Sequence, residues 1–170
     1  GIHSATRSYN WETLLDPPVS IPNRAPGLPA VATRNFPDIR MAVLRAGDWQ
    51  VFVHYGQATG HHAQEEALTY ELNHGRTAIS RDSGTVAYAS PFHQRWFRRA
   101  ASQNVPLVDG QGQQRWARGE VIQFDPSPSQ LTVRHAEYRP QVSAERRYQV
   151  TSGGFTERTT LKADGRSGQV

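Results

Sequence analysis

Short apolar runs cut off by tight-turn residues constrain this chain more than any other feature. Met41-Ala-Val-Leu-Arg45 and Gln50-Val-Phe-Val-His-Tyr55 are two such runs, and Ala46-Gly-Asp48 between them holds the glycine that a hairpin turn needs. Ala67-Leu-Thr-Tyr-Glu-Leu72 alternates and reads as a third strand. Asn73-His-Gly75 is the next turn, and Arg76-Thr-Ala-Ile-Ser80 is a fourth strand. The same reasoning predicts strands at 85–88, 105–108, 119–124, 130–134 and 145–150, with Asp109-Gly110 as a turn. Only Pro91 to Ala101, rich in arginine and aromatics, is expected to hold a helical turn. No window carries the 3.6-residue apolar period of an amphipathic helix. Strands this short, with turns every 8–12 residues, predict an all-β antiparallel β-sandwich.

The N-terminal part obeys a different rule. Pro17, Pro18, Pro22, Pro26, Pro29 and Pro37 forbid a long helix or a central strand in residues 1–38. This gives three expected parts: an extended Pro-rich segment over 1–38, the sandwich over 39–161, and a flexible polar tail over 162–170. A chain of 170 residues can bury one real core. It opens on Gly-Ile-His-Ser without an initiator Met, so a processed or excised segment is expected.

Several functions are disfavoured at this level. No cysteine is present, so disulfides and thiolate metal sites are excluded. No window approaches the roughly 20 apolar residues of a membrane helix, so no membrane partner is expected. The net charge of +4 is small and no lysine stripe exists, which argues against nucleic acid. Lys162 is the sole lysine, leaving 18 of the 19 basic residues as arginine. Arginine's planar fork pairs bidentately with carboxylate or sulfate, so an acidic polymer is a reasonable partner. A GC-rich codon bias would produce the same skew, and both readings stay open.

Four polar segments carry the candidate chemistry. The densest is Gly60-His-His-Ala-Gln-Glu-Glu-Ala-Leu68, between two predicted strands, where a rigid scaffold displays function. Arg81-Asp-Ser-Gly-Thr85, continuing to Tyr88, would by itself be an Asx turn. Phe92-His-Gln-Arg-Trp-Phe-Arg-Arg99 interleaves cations with rings that stack on sugars. Ala101-Ser-Gln-Asn104 leads to Val108-Asp-Gly-Gln-Gly-Gln113.

In this order and spacing the four segments resemble the C-terminal β-domain of heparinase II/III-like polysaccharide lyases. The blocks that carry the resemblance are His62-Ala-Gln-Glu-Glu66-Ala-Leu-Thr-Tyr-Glu-Leu72, Asp82-Ser-Gly-Thr85, Tyr88-Ala-Ser-Pro91, Arg95-Trp-Phe-Arg98, and Ser102-Gln-Asn104 with Val108-Asp-Gly-Gln-Gly-Gln113. They cover about residues 40–116. The resemblance implies that the chain is part of a larger enzyme, in which an α/α-toroid domain precedes this one and the active site lies between the two. It implies an acidic, uronic-acid-containing polysaccharide such as heparin, heparan sulfate or alginate as substrate, β-elimination as reaction, and a bacterial periplasmic or secreted location. The isolated chain is expected to be inactive.

By the same resemblance His62 and Tyr88 are the candidate catalytic groups. Arg95, Trp96, Arg98, Arg99 and Asn104 are the candidate substrate contacts. Glu65 and Glu66 are candidates to orient His62. Gln64, Asp82 and Gln103 fall where several members hold zinc through two histidines and an aspartate. An amide oxygen is a poor zinc ligand beside imidazole, so no tight zinc site is expected; hydrogen bonding of Gln64 and Gln103 around Asp82, another divalent cation, and His61 as a substitute ligand are left open. Two other readings compete: a non-catalytic sandwich that binds acidic glycans, and a cupin-like metal-binding β protein using His61 and His62.

Overall fold

The computed structural model describes residues 32–163. The extended reading of residues 1–31 and the flexible reading of 164–170 lie outside the described residues. Two antiparallel sheets face each other. The first runs in chain order through β1 (Arg34–Phe36), β2 (Met41–Ala46), β3 (Trp49–His54), β4 (Thr69–His74) and β5 (Thr77–Ser80). The second runs through β6 (Glu120–Pro126), β7 (Ser129–Arg139), β8 (Val142–Thr151) and β9 (Gly154–Ala163). Each is a meander, so every pairing is local and register is set by turns such as Gly47 (φ +56°).

The core lies where β2 and β3 pack on β7 and β8. Ala42, Leu44, Val51 and Val53 meet Leu131, Val133, Tyr148 and Val150, all essentially inaccessible. Each large apolar side chain fully buried here contributes about 1.5–3 kcal/mol. The long connection from residue 81 to 119 carries no full strand. It is the part of the chain that builds the candidate site.

Four expectations need correction. Residues 85–88 form no strand, because the segment leaves the sheet after β5 and turns at Gly84 (φ +75°), sending its side chains to histidines instead. Residues 105–108 form only one bridge, Val108 to Gln111, across an Asp109-Gly110 turn with φ of 51° and 72°. Pro106 there has no N–H to give a ladder, and its carbonyl accepts from Tyr138 Oη at 2.6 Å. β1 lies inside the predicted extended segment, as an edge strand. β9 was not foreseen and runs past residue 161. The expected helical turn is present, as a π-helical turn at His93–Phe97 and a 3-10 turn at Ala100–Ser102.

One core residue makes the fold sensitive to acid. His135 on β7 is fully buried, its ring edge-on to Tyr138 at 5.6 Å, and neither ring nitrogen has a hydrogen-bond partner among the described residues. Burial lowers its pKa, against the weaker pull of backbone groups at Arg115 and His135 and of the Glu137 carboxylate. The folded state therefore holds a neutral ring, while the unfolded chain takes a proton once pH drops below about 6.5. Stability must fall with pH from there downward. His135→Leu is expected to flatten that slope between about pH 7 and 5. Identical slopes by denaturant melts of the two proteins would remove His135 from the acid response.

Candidate functional site

The site is assembled from three loops on one end of the first sheet. The loop between β3 and β4 supplies residues 60–68, the loop after β5 supplies 81–90, and the helical turns supply 93–104. Glu65 fastens the first loop to the third: its Oε1 accepts from Arg99 Nη1 at 3.2 Å and its Oε2 from the Ala100 N–H at 3.1 Å. Its own N–H donates to the Arg98 carbonyl at 2.9 Å. Gln113, from the last block of the motif series, is buried and accepts the Ala67 N–H at 2.6 Å. Gly112 beside it leaves room for Ala100, whose Cβ would stand 2.0 Å from any added Cβ.

His62 and Tyr88 are brought together. His62 Nδ1 and the Tyr88 hydroxyl share a hydrogen bond at 2.9 Å, with the imidazole tautomer deciding which one donates. The rings meet edge to face at 5.5 Å. His62 has φ +54°, a left-handed backbone that non-glycine residues seldom adopt and that turns its ring outward to Tyr88. Tyr88 is 62% exposed, so the pair sits on an open rim. Behind it stands His93, buried, its ring 4.6 Å from that of Tyr88 and its Nδ1 3.1 Å from Thr85 Oγ1. Tyr88 is thus gripped between two imidazoles. The sequence marked His93 only as one cation among several.

The predicted substrate contacts divide. Arg95 and Trp96 face solvent, and among the described residues Arg95 makes no side-chain hydrogen bond or ion pair. Arg98 is committed internally, its Nη2 donating to the Gly60 carbonyl at 3.3 Å and its Nη1 to Gln94 at 3.2 Å. Arg99 is tied to Glu65 and to the Gln94 carbonyl. Asn104 turns inward to Ser80 Oγ at 3.2 Å. These three hold the loops, which leaves Arg95 as the free guanidinium of the motif.

Glu65 and Glu66 do not touch His62. Glu65 is the fastener just described. Glu66 lies under the loop against His54 Nδ1 at 3.3 Å and accepts from Gln57 Nε2. Its charge, after burial, helps push the Asp82 carboxyl above its ordinary range, against the Gly84 N–H and His54.

Gln64, Asp82 and Gln103 are joined in series. Gln103 Nε2 donates to Gln64 Oε1, Gln64 Nε2 to the Gly84 carbonyl at 3.0 Å, and the Gly84 N–H to Asp82 Oδ1. The only charged ligand in this set is one carboxylate already bound to a backbone N–H. Among the described residues no group of three or more His, Cys, Asp or Glu is placed to hold a metal ion. The donor set does not fit zinc. His61 is exposed and is not bonded to any of the three.

The site is anchored to the second sheet by one buried cation. Arg146 Nη1 donates to the carbonyls of Leu68 and Asn104, each at 2.7 Å. Its Nε reaches Glu157 and Thr159, each at 3.0 Å. Leu68 has φ +70° and is fully buried, and the Tyr148 hydroxyl also donates to its carbonyl at 2.7 Å.

Comparison with known proteins bears on the fold. No curated protein matches the chain. Two solved structures of heparinase III, the BT4657 gene product, one of them with methylated lysines, superpose with a TM-score of 0.70 at 18% identity. Each covers 81% of this chain and 23% of its own. A mutant of the heparan sulfate lyase HepC from Pedobacter heparinus gives 0.62 at 16% identity, covering 76% of this chain and 21% of its own. The chain therefore spans less than a quarter of the length of these proteins. The profile of the family described as heparinase II/III-like, C-terminal, matches residues 29–170, well beyond the motif blocks at 40–116. The chain belongs to the heparinase II/III-like C-terminal domain family.

Proposed function

We propose that this chain is the β-domain of a polysaccharide lyase that cleaves a uronic-acid-containing polysaccharide by β-elimination. The observation that carries the reading is the His62–Tyr88 pair: an imidazole and a phenol in direct hydrogen bond on an open rim, with a free guanidinium and an exposed indole on the next loop. In the elimination a base takes the C5 proton of the uronate. The C5–H electron pair forms the C4–C5 double bond, and the C4–O4 pair leaves with O4, which an acid protonates. An imidazole and a phenol in contact suit both proton transfers. The proton at C5 is acidic enough to remove only when the adjacent carboxylate is neutralised, a task for a cation such as Arg95. Trp96 offers a ring face to a sugar.

On this reading a preceding α/α-toroid domain in the parent protein closes the other side of the cleft, and a periplasmic or secreted location would meet the polymer. An open rim holds substrate poorly and excludes little water, so the isolated chain is inactive. The test is an ultraviolet assay for the unsaturated uronate. The parent protein should generate the absorbance from heparin, heparan sulfate, alginate or a related acidic polymer, and the 170-residue chain should not. Binding of these polymers by the parent without any elimination product would favour a glycan-binding module instead. Turnover by the isolated chain would overturn the need for a second domain.

A further inference from the structure

Gln64, Gln103 and Asp82 stand on three different loops, and the bonds between them run without a break. Gln103 Nε2 lies among acceptors only, facing Gln64 Oε1 with the Phe97 carbonyl and Ser102 Oγ at 3.4 Å each, which fixes which end of the amide is nitrogen. Gln64 spends both ends of its amide, one on Gln103 and one on the Gly84 carbonyl. Gly84 returns its N–H to Asp82. Two of its members are rooted through their sequence neighbours. Asn104, next to Gln103, is held by Ser80 and by Arg146, and Gln64 is followed by Glu65, which grips Arg99 and Ala100.

We infer that this amide relay is a metal-free fastener, doing by hydrogen bonds what a bound ion would do by coordination: it locks the His62 loop to the Tyr88 loop and to the helical turns. The inference is independent of the lyase reading. One feature pulls toward an ion. Gln103 Oε1 is buried and has no hydrogen-bond partner among the described residues, and such an oxygen is a single ligand for a hard cation. Such cations take about six to eight oxygen ligands, and the Gln64 oxygen is already engaged by Gln103. A buried amide oxygen left unpaired costs far less than a buried ion left under-coordinated.

The experiment uses the 170-residue chain dialysed against EDTA, with thermal unfolding followed alone and with zinc, calcium or magnesium added. The wild-type midpoint should be the same in all four conditions. Gln64→Ala should lower it by roughly 2–8 °C, again irrespective of ions. In a His61→Ala background, Gln64→His combined with Gln103→His should convert the fastener into a zinc site, with one zinc retained per chain and a midpoint that rises on zinc addition. A divalent ion retained stoichiometrically by the wild type, or a wild-type midpoint raised by any of the three, would overturn the inference. So would a double-histidine protein indifferent to zinc, since the relay would then not occupy an ion's place. If Gln64→Ala does not fold, the wild-type titrations still decide.

Discussion

Arg146→Ala is expected to cost this fold about 3–5 kcal/mol, the penalty for removing one partner of a buried ion pair. Arg146 sits in the middle of β8 with 5% of its surface exposed. Its guanidinium is stacked over Tyr70 at 5.1 Å and Tyr148 at 5.8 Å, and it serves four acceptors at once. Truncation leaves Glu157 without its cation. Burial favours the protonated carboxyl there, but the bonds from Arg146 and Thr159 and the guanidinium charge outweigh it and hold the Glu157 pKa below the ordinary carboxylate range. Truncation also strips the Asn104 carbonyl of its donor, while Leu68 keeps Tyr148. Denaturant unfolding of the two proteins measures the loss. Amide exchange should report where it falls, accelerating at residues 60–68 and 97–104 more than in β2 and β3. A loss under about 1 kcal/mol, the range of a surface pair, would show that Arg146 does not strap the loops to the second sheet.

The same arginine explains why β9 was illegible in the sequence. The inward face of β8 is Ala144, Arg146, Tyr148 and Val150, and the facing positions on β9 are Leu161, Thr159, Glu157 and Phe155. Serving Arg146 requires a carboxylate and a hydroxyl at two of those four inward places. That destroys the apolar alternation by which a strand is recognised. β2 to β5 had no such obligation, so their short apolar or alternating runs and their Gly47 and Gly75 turns could be read directly.

The site was legible to a different depth. Motif order brought His62 to Tyr88 and Gln64 to Gln103 and Asp82, because these side chains act across loops whose spacing the motif preserves. It overstated the free arginines. Arg98 and Arg99 are adjacent in sequence to the exposed Arg95 and Trp96, and only the tertiary partners Gly60 and Glu65 show that their charges are spent. It also gave no role to His54 or Arg146 and left His93 as one cation among several. A histidine buried behind a tyrosine and an arginine inside a sheet have no local signature.

His62→Ala in the parent protein is expected to lower kcat by about 10²- to 10⁴-fold, the usual contribution of a positioned acid or base, with polymer binding little changed. Tyr88→Phe should fall in the same range, since it removes only the hydroxyl that His62 bonds. The stronger expectation concerns the two together. If imidazole and phenol move a proton as one unit, losing either disables both, and the double variant should be no slower than the slower single variant. Independent roles would instead multiply the two losses. His62 also has left-handed backbone geometry, so alanine at that position is strained and could shift the loop. His62→Asn tolerates that geometry while removing the imidazole, and it should lose rate as His62→Ala does. Its thermal midpoint should stay near that of the wild type. Wild-type kcat in His62→Asn would remove the imidazole from the reaction and leave the rim a binding surface only.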